Sequence, residues 1–82
     1  MPEEIIRHAL DITGDVCPMT WVKTKLELED LDAGDLLEVL LCEGESLENV
    51  TRSAAEEGHE VLVREVRNPP VWRLVIRRGV NA

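Results

Sequence analysis

Aromatic and basic residues are both scarce in this chain of 82 residues. Trp21 and Trp72 are present, and phenylalanine and tyrosine are missing, so the core must be built from Leu, Val, Ile and Ala. The 9 Lys and Arg face 17 Asp and Glu, which gives a net charge of −8. Because phosphate backbones repel such a surface and no basic cluster with interleaved aromatics occurs, we expect no direct binding of nucleic acid.

Cysteines are also few, and long apolar runs are missing. Cys17 and Cys42 are widely separated, whereas a small secreted domain would usually carry several closely spaced pairs. The acidic start, Met1-Pro2-Glu3-Glu4, lacks the apolar segment of a signal peptide. No run approaches the length of a transmembrane helix. These features predict a cytoplasmic protein in a reducing compartment, with no membrane partner.

The length of the chain predicts one domain over residues 1–82. A domain of this size buries only roughly 60–65% of the surface that its unfolded chain exposes. It has no room for a deep substrate cleft, so any chemistry must lie near the surface. Size therefore favours a carrier or binding module, which we expect to be a monomer, over an enzyme with a large pocket.

Apolar patterning and turn residues predict six elements in the order β-α-β-α-β-β. Two βαβ crossovers favour parallel pairing with both helices on one face, and the short link between the last two strands favours a hairpin. We therefore expect a two-layer α/β sandwich with a four-stranded mixed sheet and two helices. The predicted strands are Ile5–Ile12, Leu36–Cys42, Glu60–Arg67 and Val71–Arg77, and the predicted helices are Pro18 to about Asp30 and an N-cap at Ser46 to about Glu57.

The same patterning predicts which residues face the core. In the first helix Met19, Val22 and Leu26 recur at helical spacing, so we expect them to point inward. Gly58 fits the left-handed position just past the second helix. The predicted inward residues are Leu47, Val50 and Ala54 in the second helix, and Trp72, Leu74 and Ile76 in the last strand, with Arg73 and Arg77 on that strand's other face.

Cys17 is the strongest candidate for chemistry. Pro18 follows it, and proline is favoured at the first position of a helix, so Cys17 is predicted to be the N-cap. Free N–H groups and the positive end of the helix dipole stabilise a thiolate there and lower the pKa of the thiol. The same N–H groups can hold the anionic outer sulfur of a persulfide. The alternative interpretation is a small apolar residue packed under a loop.

The residues around Cys17 resemble the signature of the TusA-like, or SirA-like, sulfur-carrier proteins. That signature comprises Leu10-Asp11, Gly14 and Cys17-Pro18 followed by a helix. The family motif is Cys-Pro-x-Pro, and its second proline is Thr20 here. The resemblance runs from about Ile6 to Arg78 and includes Lys23, Lys25, Leu31, Gly34, Leu37-Glu38-Val39, Gly58-His59-Glu60 and Leu74-Val75-Ile76-Arg77-Arg78.

The resemblance implies a mechanism and its partners. Cys17 would accept sulfane sulfur from a cysteine desulfurase or a rhodanese-type donor and pass the persulfide sulfur to an acceptor protein, as in tRNA thiolation or sulfur oxidation. Pro18, Gly14, Asp11 and Thr20 would support the site. No metal or organic cofactor is implied. Thr20 brings a hydroxyl and an N–H that the family proline lacks, which bears on the choice of donor or acceptor.

A second interpretation is a non-catalytic regulatory or protein-interaction module with the same fold, which the loss of the second motif proline permits.

Cys42 is expected to be a small packing residue, and a resolving partner for Cys17 is its alternative role. His8 and His59 are too few and too scattered for a metal site. We expect His59 to have a local structural role after the second helix, where a cation meets the negative end of the helix dipole.

Partner recognition is predicted to use the first helix, because persulfide exchange needs sulfur-to-sulfur contact. Trp21, Lys23 and Lys25 are the candidate contacts, with Trp21 supplying apolar area and the lysines meeting acidic groups. The alternative interpretations are core packing for Trp21 and docking of a basic partner on the acidic surface.

Asp11 and Asp15 flank the cysteine in sequence and would oppose its ionisation if they lie close.

Overall fold

A computed structural model, which describes residues 6–15 and 19–80, confirms the predicted order of elements. Strand β1 pairs with β2 in parallel, and β4 pairs antiparallel with both β2 and β3, so the strand order is β1-β2-β4-β3. The fold is the predicted two-layer sandwich of a four-stranded mixed sheet and two helices. The elements are β1 (Ile6–Asp11), α1 (Met19–Glu29), β2 (Leu36–Cys42), α2 (Glu45–Glu56), β3 (Glu60–Asn68) and β4 (Val71–Arg77).

The position of β4 refines the predicted topology. β4 returns from the turn at Pro69-Pro70 and pairs along the whole of β2, from Leu36 opposite Arg77 to Cys42 opposite Val71. Strands β2 and β3 therefore run in the same direction, but β4 lies between them and they do not pair directly. β2 is a central strand, as its apolar sequence predicts, and it pairs with β1 on one side and with β4 on the other.

The core lies between the sheet and the two helices, and it is aliphatic as expected. The inward residues predicted for α2 and β4 are confirmed, because their side chains all belong to this cluster. The buried members are Ile12, Leu28, Leu31, Leu37, Val39, Leu41, Leu47, Val50, Ala54, Leu74 and Ile76, and the partly buried Leu10, Trp21, Val61 and Trp72 pack against them.

The opposite face of the sheet is closed by a ladder of ion pairs. Arg73 donates to Glu38 on one neighbouring strand at 2.5 Å and to Glu65 on the other at 3.1 Å. Arg77 pairs with Glu60 on β3. Val75 lies between the two arginines on β4 and is fully buried. Arginine stems cover apolar surface while their charged ends stay hydrated, so the ladder protects this face.

Helix α1 contradicts the predicted inward face. Met19, Val22 and Leu26 were expected to pack on the sheet, and they are 45%, 42% and 57% exposed. The buried positions of α1 are instead Thr20, Thr24 and Leu28. The prediction was wrong because it did not consider threonine for the inward face, whereas a threonine hydroxyl can bond the carbonyl four residues earlier in the helix, as that of Thr24 does.

The start of α2 also differs from the prediction. Ser46 was expected to be the N-cap, but the helix begins at Glu45 and its N-cap is Gly44, which makes no side-chain capping bond. Gly44 has a φ of 110°, a conformation that glycine adopts easily and serine does not. Glu45 and Glu48 then place acidic charge in the first turn, next to the positive end of the helix dipole. Gly58, with a φ of 96°, confirms the left-handed position predicted after the helix.

His59 has the predicted local structural role, which it fills through a hydrogen bond to the segment after β4. Its Nδ1 accepts a hydrogen bond from the backbone N–H of Gly79 at 3.1 Å, which requires an unprotonated nitrogen. Burial and then the charge of Arg78 lower its pKa from the ordinary value of 6.5, and Glu57 partly opposes them. The imidazole therefore ties the end of α2 to the segment after β4.

Substitution of Val39 by alanine is expected to destabilise the fold. Val39 is fully buried at the centre of β2, so the change removes apolar contacts and leaves a cavity. We expect the free energy of unfolding to fall by about 1–3 kcal/mol in a urea melt. Val66→Ala is the control, because Val66 is 47% exposed and should cost under about 0.5 kcal/mol. Equal losses would contradict the assigned core.

Stability is expected to depend on pH through His59. The pKa of His59 in the folded protein lies below its ordinary value of 6.5. The stabilisation that His59 provides is therefore complete above pH 6.5. It is lost as the pH falls below 6.5, because the unfolded chain takes up a proton before the folded protein does. His59→Gln keeps a hydrogen-bond acceptor and does not titrate. Its free energy of unfolding should therefore fall less steeply with acidification than that of the wild type, and identical slopes would contradict this account.

Candidate functional site

The connection from β1 to α1 begins in a turn with well-defined hydrogen bonds. The backbone N–H of Ile12 donates to the Leu40 carbonyl at 2.9 Å, and that of Asp15 donates to the Ile12 carbonyl at 3.0 Å. Asp11 accepts from the backbone N–H of Thr13 at 3.0 Å and from its hydroxyl at 2.7 Å. These bonds fix the end of β1 and the start of the segment that carries the Cys-Pro pair.

Two of the predicted site residues, Cys17 and Pro18, lie outside the described residues. The described chain resumes at Met19, which is the first residue of α1. In sequence, Cys17 therefore stands two positions before this helix and two after Asp15. The placement of Cys17 at a helix N-terminus stays a prediction.

The two acids expected to oppose ionisation of the cysteine are both engaged. Lys23 Nζ lies 3.0 Å from each carboxylate oxygen of Asp15, so this ion pair neutralises the acid that is nearer to Cys17 in sequence. The hydrogen bonds from Thr13, first its backbone N–H and then its hydroxyl, lower the pKa of Asp11. Lys23, predicted as a partner contact, thus has a contact within the chain that the sequence pattern did not reveal.

Lys25 and Gly14, two further predicted site residues, have fewer contacts than Lys23. Lys25 Nζ lies 4.0 Å from Glu57, at the limit of an ion pair, and its side chain is 46% exposed. Gly14 is exposed, and a Cβ built on it would meet no atom within 4 Å. Its φ also lies outside the left-handed region. Neither space nor backbone conformation therefore explains a glycine at this position.

Thr20, at the position of the missing motif proline, is fully buried in the first turn of α1. Among the residues that the structure describes, its hydroxyl finds no hydrogen-bond partner, which is unusual because buried polar groups are nearly always satisfied. By contrast, the equally buried Thr24 donates its hydroxyl to the Thr20 carbonyl at 2.7 Å.

Trp21 does not project freely from α1. It is partly buried and packs against the core cluster, which agrees with the alternative interpretation given to it above. The exposed apolar side chains of this helix are Met19, Val22 and Leu26. Sequence reasoning missed them as surface residues because it assigned them to the core.

Cys42 lies closer to the connection than sequence position suggests. Its thiol donates to the Thr13 carbonyl at 3.4 Å, and its side chain is partly buried. The parallel pairing of β1 with β2 accounts for this, because both strands end at the same edge of the sheet. Cys42 therefore contacts the turn that follows β1, and the strand register is the signal that could have located it.

Within residues 6–15 and 19–80, no group of three or more His, Cys, Asp or Glu side chains is arranged to hold a metal ion. In the same ranges, no helix combines the length and apolarity needed to cross a bilayer.

Comparison with known proteins gives a consistent result. Residues 8–78 match the family model described as sulfurtransferase TusA. A protein of Archaeoglobus fulgidus named as a candidate sulfur carrier is 41% identical over 71 residues, covering 87% of this chain and 81% of the relative. Similarly named proteins of Methanocaldococcus jannaschii and Thermotoga maritima are 41% and 35% identical, covering 90% and 88% of this chain and 97% and 91% of the relatives.

Solved structures share the fold. The crystal structure of a SirA-like protein from Desulfitobacterium hafniense superposes with a TM-score of 0.79 at 26% identity, covering 89% of this chain and 99% of that one. The solution structure of a Helicobacter pylori protein has a TM-score of 0.67 at 15% identity, covering 87% and 96%. The second likeness concerns the fold alone.

Replacement of Thr20 by valine is expected to stabilise the protein. Valine has the same shape and removes the unpaired hydroxyl, so the free energy of unfolding should rise by about 1 kcal/mol in a urea melt. Thr24→Val is the matched control, because its hydroxyl is bonded and its loss should bring no gain. No gain from Thr20→Val, or an equal gain from both variants, would contradict the assignment.

Proposed function

Because this chain belongs to the TusA family of sulfurtransferases, we propose that it is a sulfur carrier that holds sulfane sulfur as a persulfide on Cys17 and passes it to an acceptor protein. The observation that carries this proposal is the ion pair between Lys23 and Asp15. It neutralises the acid that stands two residues before Cys17 in sequence, so we expect it to reduce the opposition of that acid to ionisation of the thiol.

The first step loads the carrier. The Cys17 thiolate attacks the outer sulfur of a persulfide on the donor protein, a new sulfur–sulfur bond forms, and the bond between the donor's two sulfur atoms breaks. The donor cysteine leaves with the electron pair as a thiolate. The oxidation level of the transferred sulfur is unchanged, so no external oxidant or reductant is needed.

The second step unloads the carrier by the same chemistry. A thiolate of the acceptor protein attacks the outer sulfur of the Cys17 persulfide, and Cys17 leaves as a thiolate ready for another cycle. Each attack needs an accessible sulfur and little else. A carrier with a shallow surface site is therefore sufficient, in keeping with the size of the chain.

The start of α1 supports the anionic states of this cycle. Met19 opens an 11-residue helix, whose first N–H groups lack partners within the helix and carry the positive end of its dipole. The N–H of Thr20 adds to this set, whereas a proline in its place would supply none. Both the thiolate and the persulfide of Cys17 would be stabilised by these groups.

The partners that we propose are a cysteine desulfurase or rhodanese-type donor and a cysteine-bearing acceptor in a sulfur-trafficking pathway. The chain would act as a monomer in the cytoplasm, since thiol chemistry of this kind needs a reducing compartment. A net charge of −8 argues against direct contact with nucleic acid, so any role in tRNA thiolation would pass through a protein acceptor.

Incubation with a cysteine desulfurase and cysteine should load Cys17. We expect the intact mass to rise by one sulfur atom and to return to its original value after treatment with a reductant. Cys42→Ser should load like the wild type, and Cys17→Ser should not load. Loading that survives in Cys17→Ser, or that requires Cys42, would contradict the assignment of the carrier residue.

Removal of the Lys23 charge is expected to slow the reaction of Cys17. In Lys23→Gln, the Asp15 carboxylate is no longer neutralised and disfavours the thiolate, so alkylation by iodoacetamide at neutral pH should slow two- to fivefold, which corresponds to an exposed ion pair of about 0.5–1 kcal/mol. Lys25→Gln is the matched control on the same helix and should have a smaller effect. Equal effects of the two variants would show that only net charge matters.

A further inference from the structure

Helix α1 presents an apolar strip to solvent instead of to the core. The strip comprises Met19, Val22 and Leu26, which are 45%, 42% and 57% exposed. Residues spaced by three and four positions share one face of a helix, and these three lie opposite the buried face of α1. An outward apolar face contributes less to folding than an inward one and is a recognised mark of an interaction surface.

We propose that this apolar strip docks the sulfur-donor protein, and that its occupant is an apolar surface beside the donor's own persulfide cysteine. The inference rests on the proposed function, since the strip begins two residues after Cys17 in sequence. Persulfide exchange brings two sulfur atoms into direct contact. A donor that reaches Cys17 therefore approaches the first turns of α1, along which the strip extends for about 10 Å.

The size of the strip fits a transient partner better than a second copy of this chain. Three half-exposed side chains offer roughly 200–300 Å² of surface, which is the scale of a functional patch on a small protein. A stable dimer usually buries about 800 Å² on each partner. A carrier must also release its donor after each transfer, so a small contact suits the task.

Charge supports the same choice of occupant. Two copies of this chain would each bring a net charge of −8 to the contact and would repel one another. Lys25 flanks the strip, is 46% exposed and lies at the limit of pairing with Glu57, so its charge is available to a partner. A donor whose apolar surface has an acidic rim would complement this edge.

The strip also replaces Trp21 as the apolar docking element. Trp21 packs against the core cluster, so its truncation would disturb the fold together with any contact. Val22 and Leu26 can be changed with much less effect on packing, because both point away from the core. They are therefore the residues with which docking can be separated from stability.

The test compares loading rates from protein donors and from a small molecule. The protein donors are a cysteine desulfurase supplied with cysteine and, separately, a rhodanese in its persulfide form, and the small molecule is inorganic polysulfide. In the double variant Val22→Gln with Leu26→Gln, the rate with an active protein donor should fall tenfold or more, while the rate with polysulfide should stay within twofold. Val66→Gln is the matched control, because Val66 is 47% exposed on β3, and it should load like the wild type.

Other outcomes would overturn the proposal. An unchanged rate with the protein donor, or an equal loss with polysulfide, would show that the strip does not dock a donor. Loading of the wild type by polysulfide alone would contradict docking while leaving the carrier function intact. A wild-type chain that no donor loads would contradict the proposed function itself. A wild-type dimer in sedimentation, dissociated in the double variant, would assign the strip to a second copy.

Discussion

The parallel pairing of β1 with β2 is the constraint on which the rest of this structure depends. Parallel neighbours cannot be joined by a hairpin, so the chain must cross over, and α1 is that crossover. The bond from Ile12 to Leu40 continues the pairing into the connection that carries Cys17. Because both strands end at one edge of the sheet, the same pairing brings the Cys42 thiol to the Thr13 carbonyl.

Helix α1 buries less apolar area than its side chains could provide. It buries Thr20 and Thr24 and exposes Met19, Val22 and Leu26, the reverse of what burial of apolar area would select. The unpaired hydroxyl of Thr20 adds a further cost. The other elements compensate, since α2, β2 and β4 supply an aliphatic core and an ion-pair ladder closes the far face. A carrier that exchanges partners at one helix would account for this division.

The sequence was sufficient to predict elements whose patterning is strong. Strands β2 and β4 and the inward stripe of α2 follow from apolar runs, alternation and helical spacing. The orientation of α1 could not be predicted this way, because its inward face carries two threonines, of which Thr24 satisfies its hydroxyl on a backbone carbonyl. The pair between Lys23 and Asp15 was also hidden, since it joins a helix to the preceding turn through a contact that no sequence periodicity encodes.

Selective alkylation of the two cysteines tests the central claim most directly. We propose that Cys17 is a reactive carrier thiol, and we expect Cys42, whose thiol bonds the Thr13 carbonyl, to be a packing residue. Under limiting iodoacetamide at neutral pH, peptide mapping should therefore find Cys17 modified well before Cys42 in the folded protein, and the preference should disappear on unfolding. Equal modification, or faster modification of Cys42, would contradict the account and favour a non-catalytic module with the same fold.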